Sequence, residues 1–149
     1  MNRILIRLLL VFVAFFSHSL QGQQTMPTQA AVDDTIKMYC AAWSEPDAQR
    51  RLELLDKVWA TSGSYTDPTA HVEGRKALAD HIGGFMQRTP GAKIIATSHV
   101  DLHHSVFRFN WKFLAADGKT MSEGIDFGTL DAGGKIQTIV GFFGVTKPL

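Results

Sequence analysis

Hydrophobic residues recur at helical spacing through the first half of this chain and at strand spacing through the second. Val32, Ile36, Tyr39 and Trp43 fall on one side of a helix expected from about Ala30 to Ser44. Pro46 suits the first turn of a second helix with Ser44 as its cap. Leu52, Leu55 and Trp59 form that helix's inner stripe, while Gln49, Arg50, Arg51 and Lys57 face water. Gly63, Asp67 and Pro68 stop any continuation, so Ser62 to Asp67 reads as a short extended segment. Leu78, Ile82 and Phe85 mark a third helix from Gly74 to Gln87, with His81 close to the stripe and Gly83-Gly84 weakening its end.

From Ala92 the period becomes two. Ile94, Ala96, Ser98 and Val100 alternate with Lys93, Ile95, Thr97 and His99, which predicts one strand. Ser105, Phe107, Phe109, Trp111 and Phe113 then alternate with Val106, Arg108, Asn110 and Lys112, the clearest half-buried strand in the sequence. Asp117-Gly118 turns the chain back, and Asp131-Ala132-Gly133-Gly134 turns the next strand into a last one, Lys135 to Phe143. Helices first and an antiparallel meander afterwards make the fold class α+β.

The N-terminal stretch reads differently. Arg3 and Arg7 flank or interrupt an apolar run, Leu8 to Phe16, followed by the small and polar residues Ser17 to Gly22. Charged, apolar and small-residue zones in that order predict a secretory signal over residues 1–22, with cleavage near Gly22 or, alternatively, Ser19. An uncleaved anchor is the competing reading, but the run is short against the ~20 residues that span a bilayer. No cysteine lies directly after the run, which argues against a lipid-modified N-terminus. An exported protein, periplasmic or secreted, is therefore expected. Residues 23–29 read as a flexible lead-in and residues 30–149 as one domain.

Removing residues 1–22 takes away two of the 15 basic residues and none of the 14 acidic ones. Thirteen cations against fourteen anions leave no electrostatic footprint for nucleic acid. Cys40 is the single cysteine, so no internal disulfide forms, and a buried structural thiol is the expected role. His99, Asp101, His103 and His104 suggest a metal, but His99 and His103 on one straight strand stand about 13 Å apart, too far to share an ion with Zn–N bonds of about 2.1 Å. No metal is expected. A place on the rim of a pocket suits His99 and His81 better.

The unusual residue is Asp126, in Gly124-Ile125-Asp126-Phe127-Gly128, within a strand that should bury hydrocarbon. A buried ionised carboxylate costs several kcal/mol unless it is paired, hydrogen-bonded or protonated. Burial among Phe107, Phe109, Phe127 and Ile139 would favour the neutral acid; an arginine or backbone partner is the alternative. A second carboxylate, Asp67 in Tyr65-Thr66-Asp67-Pro68, is either ionised near a cavity mouth or a turn former.

The order of elements, with Tyr65-Thr66-Asp67-Pro68, Gly74-Arg75-Lys76-Ala77-Leu78, Gly124-Ile125-Asp126-Phe127 and Ile139-Val140-Gly141-Phe142-Phe143-Gly144, resembles the nuclear transport factor 2-like superfamily. Within it the chain looks like the SnoaL-like polyketide cyclase and ketosteroid isomerase branch. The resemblance implies a curved, mostly antiparallel sheet wrapped around three N-terminal helices as a cone, over about Ala30 to Gly144, and pairing into a homodimer through the sheet's outer face. In ketosteroid isomerases an Asp-Pro carboxylate shuttles the proton, and Asp67 stands at the matching place. A protonated aspartate and a tyrosine of the first helix form the oxyanion hole there, and Asp126 and Tyr39 match them. The chain departs from that pattern in a longer segment between Tyr39 and Asp67, in Trp43 and in Tyr65 beside the base.

Two function classes follow. One is a cofactor-free isomerase or cyclase acting on a small, largely apolar carbonyl compound through Asp67, Asp126 and Tyr39. The other is a non-catalytic domain holding a small hydrophobic ligand, with a bare dimeric scaffold as a third possibility. In both of the first two, Trp43, Trp59, Tyr65, His81, Phe85, His99, Phe107, Phe109 and Ile139 are the expected cavity walls.

Overall fold

The computed structural model describes residues 27–144, 146, 148 and 149, so the expected signal and most of the lead-in lie outside the described residues. The helices are α1 (Gln29–Ala42), α2 (Ala48–Val58) and α3 (Arg75–Arg88). Between α2 and α3 run β1 (Trp59–Asp67) and β2 (Ala70–Glu73); after α3 come β3 (Lys93–Ala96), β4 (Asp101–His103), β5 (Val106–Leu114), β6 (Thr120–Leu130) and β7 (Ile136–Phe143). The strands form one 7-stranded sheet in the order β2-β1-β7-β6-β5-β3, with β4 also on β5. Every pairing is antiparallel except β1 with β7, which is parallel. The fold is α+β: three helices against a curved open sheet.

α1 begins where the Thr28 side chain accepts the Ala31 N–H, one residue before the expected start. Its stripe of Val32, Ile36 and Tyr39 is buried as the spacing requires. Asp47, not Ser44, caps α2 by accepting the Arg50 N–H at 2.8 Å. The Ser44 hydroxyl instead ties α1 to the sheet, donating to the Cys40 and Ile94 carbonyls and accepting the Ile94 N–H.

Two residues of the expected α2 faces are placed differently. Trp59 keeps the helical i, i+4 contact, its N–H donating to the Leu55 carbonyl, yet its own backbone is extended and it opens β1, fully buried. Arg51, expected in water, is 5 % exposed. Its guanidinium donates to the carbonyls of Ala79, Glu45 and Pro46, which makes burial of the charge tolerable. Gly83 is the other half of that arrangement, since a Cβ there would come within 2.7 Å of the Arg51 Nη2.

The single strand expected from Ala92 to Val100 is interrupted. β3 stops at Ala96, and the chain is then held by the Asp33 carboxylate of α1, which accepts the Val100 N–H at 2.8 Å. A turn with positive φ at His104 and Ser105 joins β4 to β5. β2, whose four residues Ala-His-Val-Glu alternate but are too few to mark a strand by period alone, folds back on β1 with Tyr65 opposite Val72.

Candidate active site

A cavity of about 320 Å³ lies between the helices and the inner face of the sheet. Tyr39, Asp67 and Asp126, from α1, β1 and β6, all line it. The sheet register explains how the two carboxylates meet. Asp126 stands opposite Gly141 of β7, and β1 runs beside β7 with Thr66 next to Val140, which brings Asp67 alongside Gly141. A Cβ on Gly141 would lie 2.9 Å from Asp126 Oδ1 and 3.7 Å from the Asp67 Cβ. Hydrogen is therefore the side chain that fits between the two acids without a shift.

Glycines also frame Asp126 along its own strand. Gly124 and Gly128 share the inner face of β6 with it, at period two. The Trp111 ring lies over Gly124 and the Phe107 ring over Gly128, each within 3 Å of where a Cβ would stand. Phe109 stands directly across from Asp126 on β5. Phe127 belongs to the opposite face and is half-exposed, so it takes no part in burying the acid, contrary to the sequence expectation. Nor is the partner of Asp126 an arginine or the backbone. The Trp111 indole N–H donates to Oδ1 at 2.7 Å, and the residue is 6 % exposed. Burial, first, and the neighbouring Asp67 charge push the Asp126 carboxyl up to about 7, against the opposing pull of the indole hydrogen bond.

Asp67 is built the other way. Its Oδ1 accepts the Thr69 N–H at 2.6 Å, the Thr69 hydroxyl at 2.8 Å and the Ala70 N–H at 2.8 Å, closing the turn between β1 and β2. Its Oδ2 accepts the Tyr65 hydroxyl at 2.7 Å. Burial works against ionisation here too, but these donors outweigh it, and the carboxyl is held below its ordinary value. Asp67 is thus both a turn former and a cavity residue.

Tyr39 stacks on Trp59 with ring centroids 5.7 Å apart and meets Phe109 edge-on at 6.5 Å. Its hydroxyl is buried and forms no hydrogen bond. Burial and then the Asp126 charge raise its ionisation well above the usual tyrosine value, with a smaller opposing effect from the Trp43 side chain, so it is a donor and not a phenolate.

Of the expected walls, Trp43, Tyr65, His81, Phe85 and Phe109 line the cavity. Trp43 organises this side, packing its ring against Tyr65 at 5.2 Å, Phe85 at 5.7 Å and His81 at 5.8 Å. Trp59, Phe107 and Ile139 are buried behind the wall and do not reach the cavity. His99 is elsewhere altogether: its side chain is 94 % exposed and its Nδ1 meets Asp33 at 2.9 Å. Trp111, which its alternation puts primarily in the core, lines the cavity too, as does Arg88 at the mouth, a residue the sequence does not single out. The signal for Trp111 was present, since it shares the inner face with Phe109 and pairs with Gly124, next on that face to Asp126. Cys40, expected to be purely structural, is buried with its thiol pushed up to about 12, chiefly by burial, and also forms part of the wall.

The family model for the SnoaL-like domain matches residues 36–139. The chain belongs to the SnoaL-like family. Among solved structures, it is 32 % identical to a candidate isomerase of the SnoaL-like family from Agrobacterium tumefaciens, with a TM-score of 0.71 over 75 % of this chain and 96 % of that one. A protein of unknown function with a cystatin-like fold from Methylobium petroleophilum superposes with a TM-score of 0.67 at 14 % identity, over 83 % of this chain and 82 % of its own. A candidate ketosteroid isomerase from Kribbella flavida does so with 0.57 at 14 % identity, over 79 % and 81 %. The last two likenesses concern the fold. No curated protein sequence matches the chain. The SnoaL-like fold and its open-ended sheet account for why Asp67, Asp126 and Tyr39, remote in sequence, come to share one cavity.

Proposed function

We propose that this SnoaL-like protein binds a small, largely apolar carbonyl compound in its cavity and moves a proton on it without a cofactor, as an isomerase or cyclase does. The observation that carries the reading is the pair of carboxyls flanking Gly141 in one cavity, one held low and ionised and the other raised to about 7. Asp67 is the base, taking a proton from the carbon next to the carbonyl. Asp126, as the neutral acid, and the unpartnered Tyr39 hydroxyl donate to the oxyanion that develops. Such donors contribute about 3 to 4 kcal/mol each when they are aimed at the developing charge. Trp111 has a positioning role: by occupying Oδ1 of Asp126 as an acceptor, it directs the carboxyl proton to Oδ2.

A second reading, a binding domain without chemistry, is favoured by one observation: both oxygens of Asp67 are already engaged. The base must let go of the Tyr65 hydroxyl, or share it, as it takes up a proton. The test uses 2-tetralone in D2O, following deuterium uptake at the activated carbon by NMR. The catalytic reading expects exchange well above the buffer rate that is lost in Asp67→Asn while ketone affinity stays nearly unchanged. Binding of the ketone with exchange at the buffer rate would leave the binding reading standing.

We further infer export through residues 1–22 and a homodimer formed by the outer sheet face. The dimer is supported by the exposed apolar residues there: Phe127 packs edge-on against Phe142 at 6.0 Å beside Val140, and Phe142 is 54 % exposed.

A further inference from the structure

Arg88 closes α3 at the cavity mouth, exposed, and among the described residues it forms no hydrogen bond and no ion pair. Of the other described arginines, Arg51 donates to three carbonyls, Arg75 pairs with Asp56 and Arg108 with Asp101, while Arg50 has an unpaired side chain but lies exposed on α2 and does not line the cavity. The Arg88 guanidinium lies back along its own helix over Gly84 one turn earlier, with Nη1 3.4 Å from where a Cβ would stand. It lines the cavity together with Phe85 and Phe113, whose rings are 5.2 Å apart.

The placement of this cation relative to the acids follows from the sheet order. α3 ends where the chain enters β3, at the β5-β3 side of the sheet, whereas Asp67 ends β1 on the far side of β7 and β6. Asp126 lies between them on β6. Among the described residues no ion pair joins Arg88 to Asp67, whose oxygens are taken up by its own turn and by Tyr65. The cavity therefore has a cationic end, an aromatic middle and a proton-transfer end.

We propose that the ligand of this cavity is an apolar carbonyl compound that also bears a carboxylate, which Arg88 binds through its two-pronged guanidinium while the carbonyl end meets Tyr39 and Asp126. This rests on reading the cavity as the carbonyl-binding site, and it adds the anionic group that sets specificity.

The test compares 2-naphthylacetate with its neutral counterpart 2-naphthylacetamide, which differ in charge and little in shape, by calorimetric titration at neutral pH and low salt. The acid is expected to bind about tenfold or more tightly than the amide. Arg88→Gln should bring the acid down to the affinity of the amide and leave amide binding unchanged, which also shows the variant to be folded; Arg88→Lys should retain part of the preference. Equal affinities in the wild type, a preference that survives Arg88→Gln, or no binding of either probe overturns the proposal. The 2-tetralone exchange fails or succeeds separately: an Arg88-dependent preference without exchange keeps this inference and removes the catalytic reading.

Discussion

Two aspartates bordering the same glycine experience opposite electrostatics. Asp67 stands at a strand end, where a turn supplies two backbone N–H groups and the Thr69 hydroxyl to its oxygens and Tyr65 of the same strand adds a second hydroxyl. Asp126 stands in the middle of a strand, where every backbone donor is committed to the ladder and one indole is all that reaches it. Burial penalises the charge at both. Asp126 is the more deeply buried, and only at the turn is the penalty exceeded by donors, so identical side chains are driven apart in acidity by depth of burial and by where the fold leaves N–H and hydroxyl groups free. A fold that ends one strand beside the middle of another is thereby able to hold a base and an acid side by side.

The comparison is broken most severely by removing its charged member. Asp67→Asn should lower proton exchange on 2-tetralone by about 10²- to 10⁴-fold, measured by NMR, with ketone affinity changed only slightly. The pH dependence of stability sharpens the other member. A carboxyl raised from 3.8 to about 7 binds its proton more tightly in the folded state, so the folded protein holds more protons than the unfolded chain between those values. Stability therefore falls as pH rises from about 4 to about 7, by up to about 4 kcal/mol from this group, and levels off above. Denaturation at pH 5 and pH 8 should show this fall in the wild type, and Asp126→Asn should show a shallower one.

Trp111→Phe removes the donor that opposes burial. The Asp126 carboxyl should then titrate still higher, moving the alkaline limb of any exchange activity upward, with a stability loss of about 1 to 3 kcal/mol in thermal or chemical melts. Gly141→Ala sets a methyl 2.9 Å from Asp126 Oδ1, so the carboxyl must shift; melts should show a loss of about 1 to 3 kcal/mol with the two titrations drawn closer together. The smallest effect on the pair should come from the other side of the sheet. Phe142→Glu should turn the proposed dimer into a monomer by light scattering while leaving the Asp67 and Asp126 titrations in place.

Much of this comparison was legible in the sequence. An aspartate at an inward position of β6 between two glycines, and an Asp-Pro at a strand end, are local signals, and the alternation of β5 was unambiguous. What escaped depended on pairing between distant segments. The role of Trp111 requires knowing that it lies over Gly124, and the burial of Arg51 requires knowing that Gly83 faces it; neither register is written in the local period. His99 was misjudged because the alternation carries on past Ala96 although the strand does not, the Asp33 carboxylate having drawn that segment to α1. Phe127 was placed beside Asp126 against the rule of period two, which sends adjacent residues to opposite faces.

The central claim is that the two acids differ in protonation within one cavity. Carboxyl ¹³C NMR of aspartate-labelled protein, titrated from pH 2.5 to 9 alongside Asp67→Asn and Asp126→Asn, measures it directly. One resonance, absent from Asp126→Asn, should titrate near 7, and another, absent from Asp67→Asn, below the ordinary aspartate value. Two resonances titrating together near 3.8 would contradict the account.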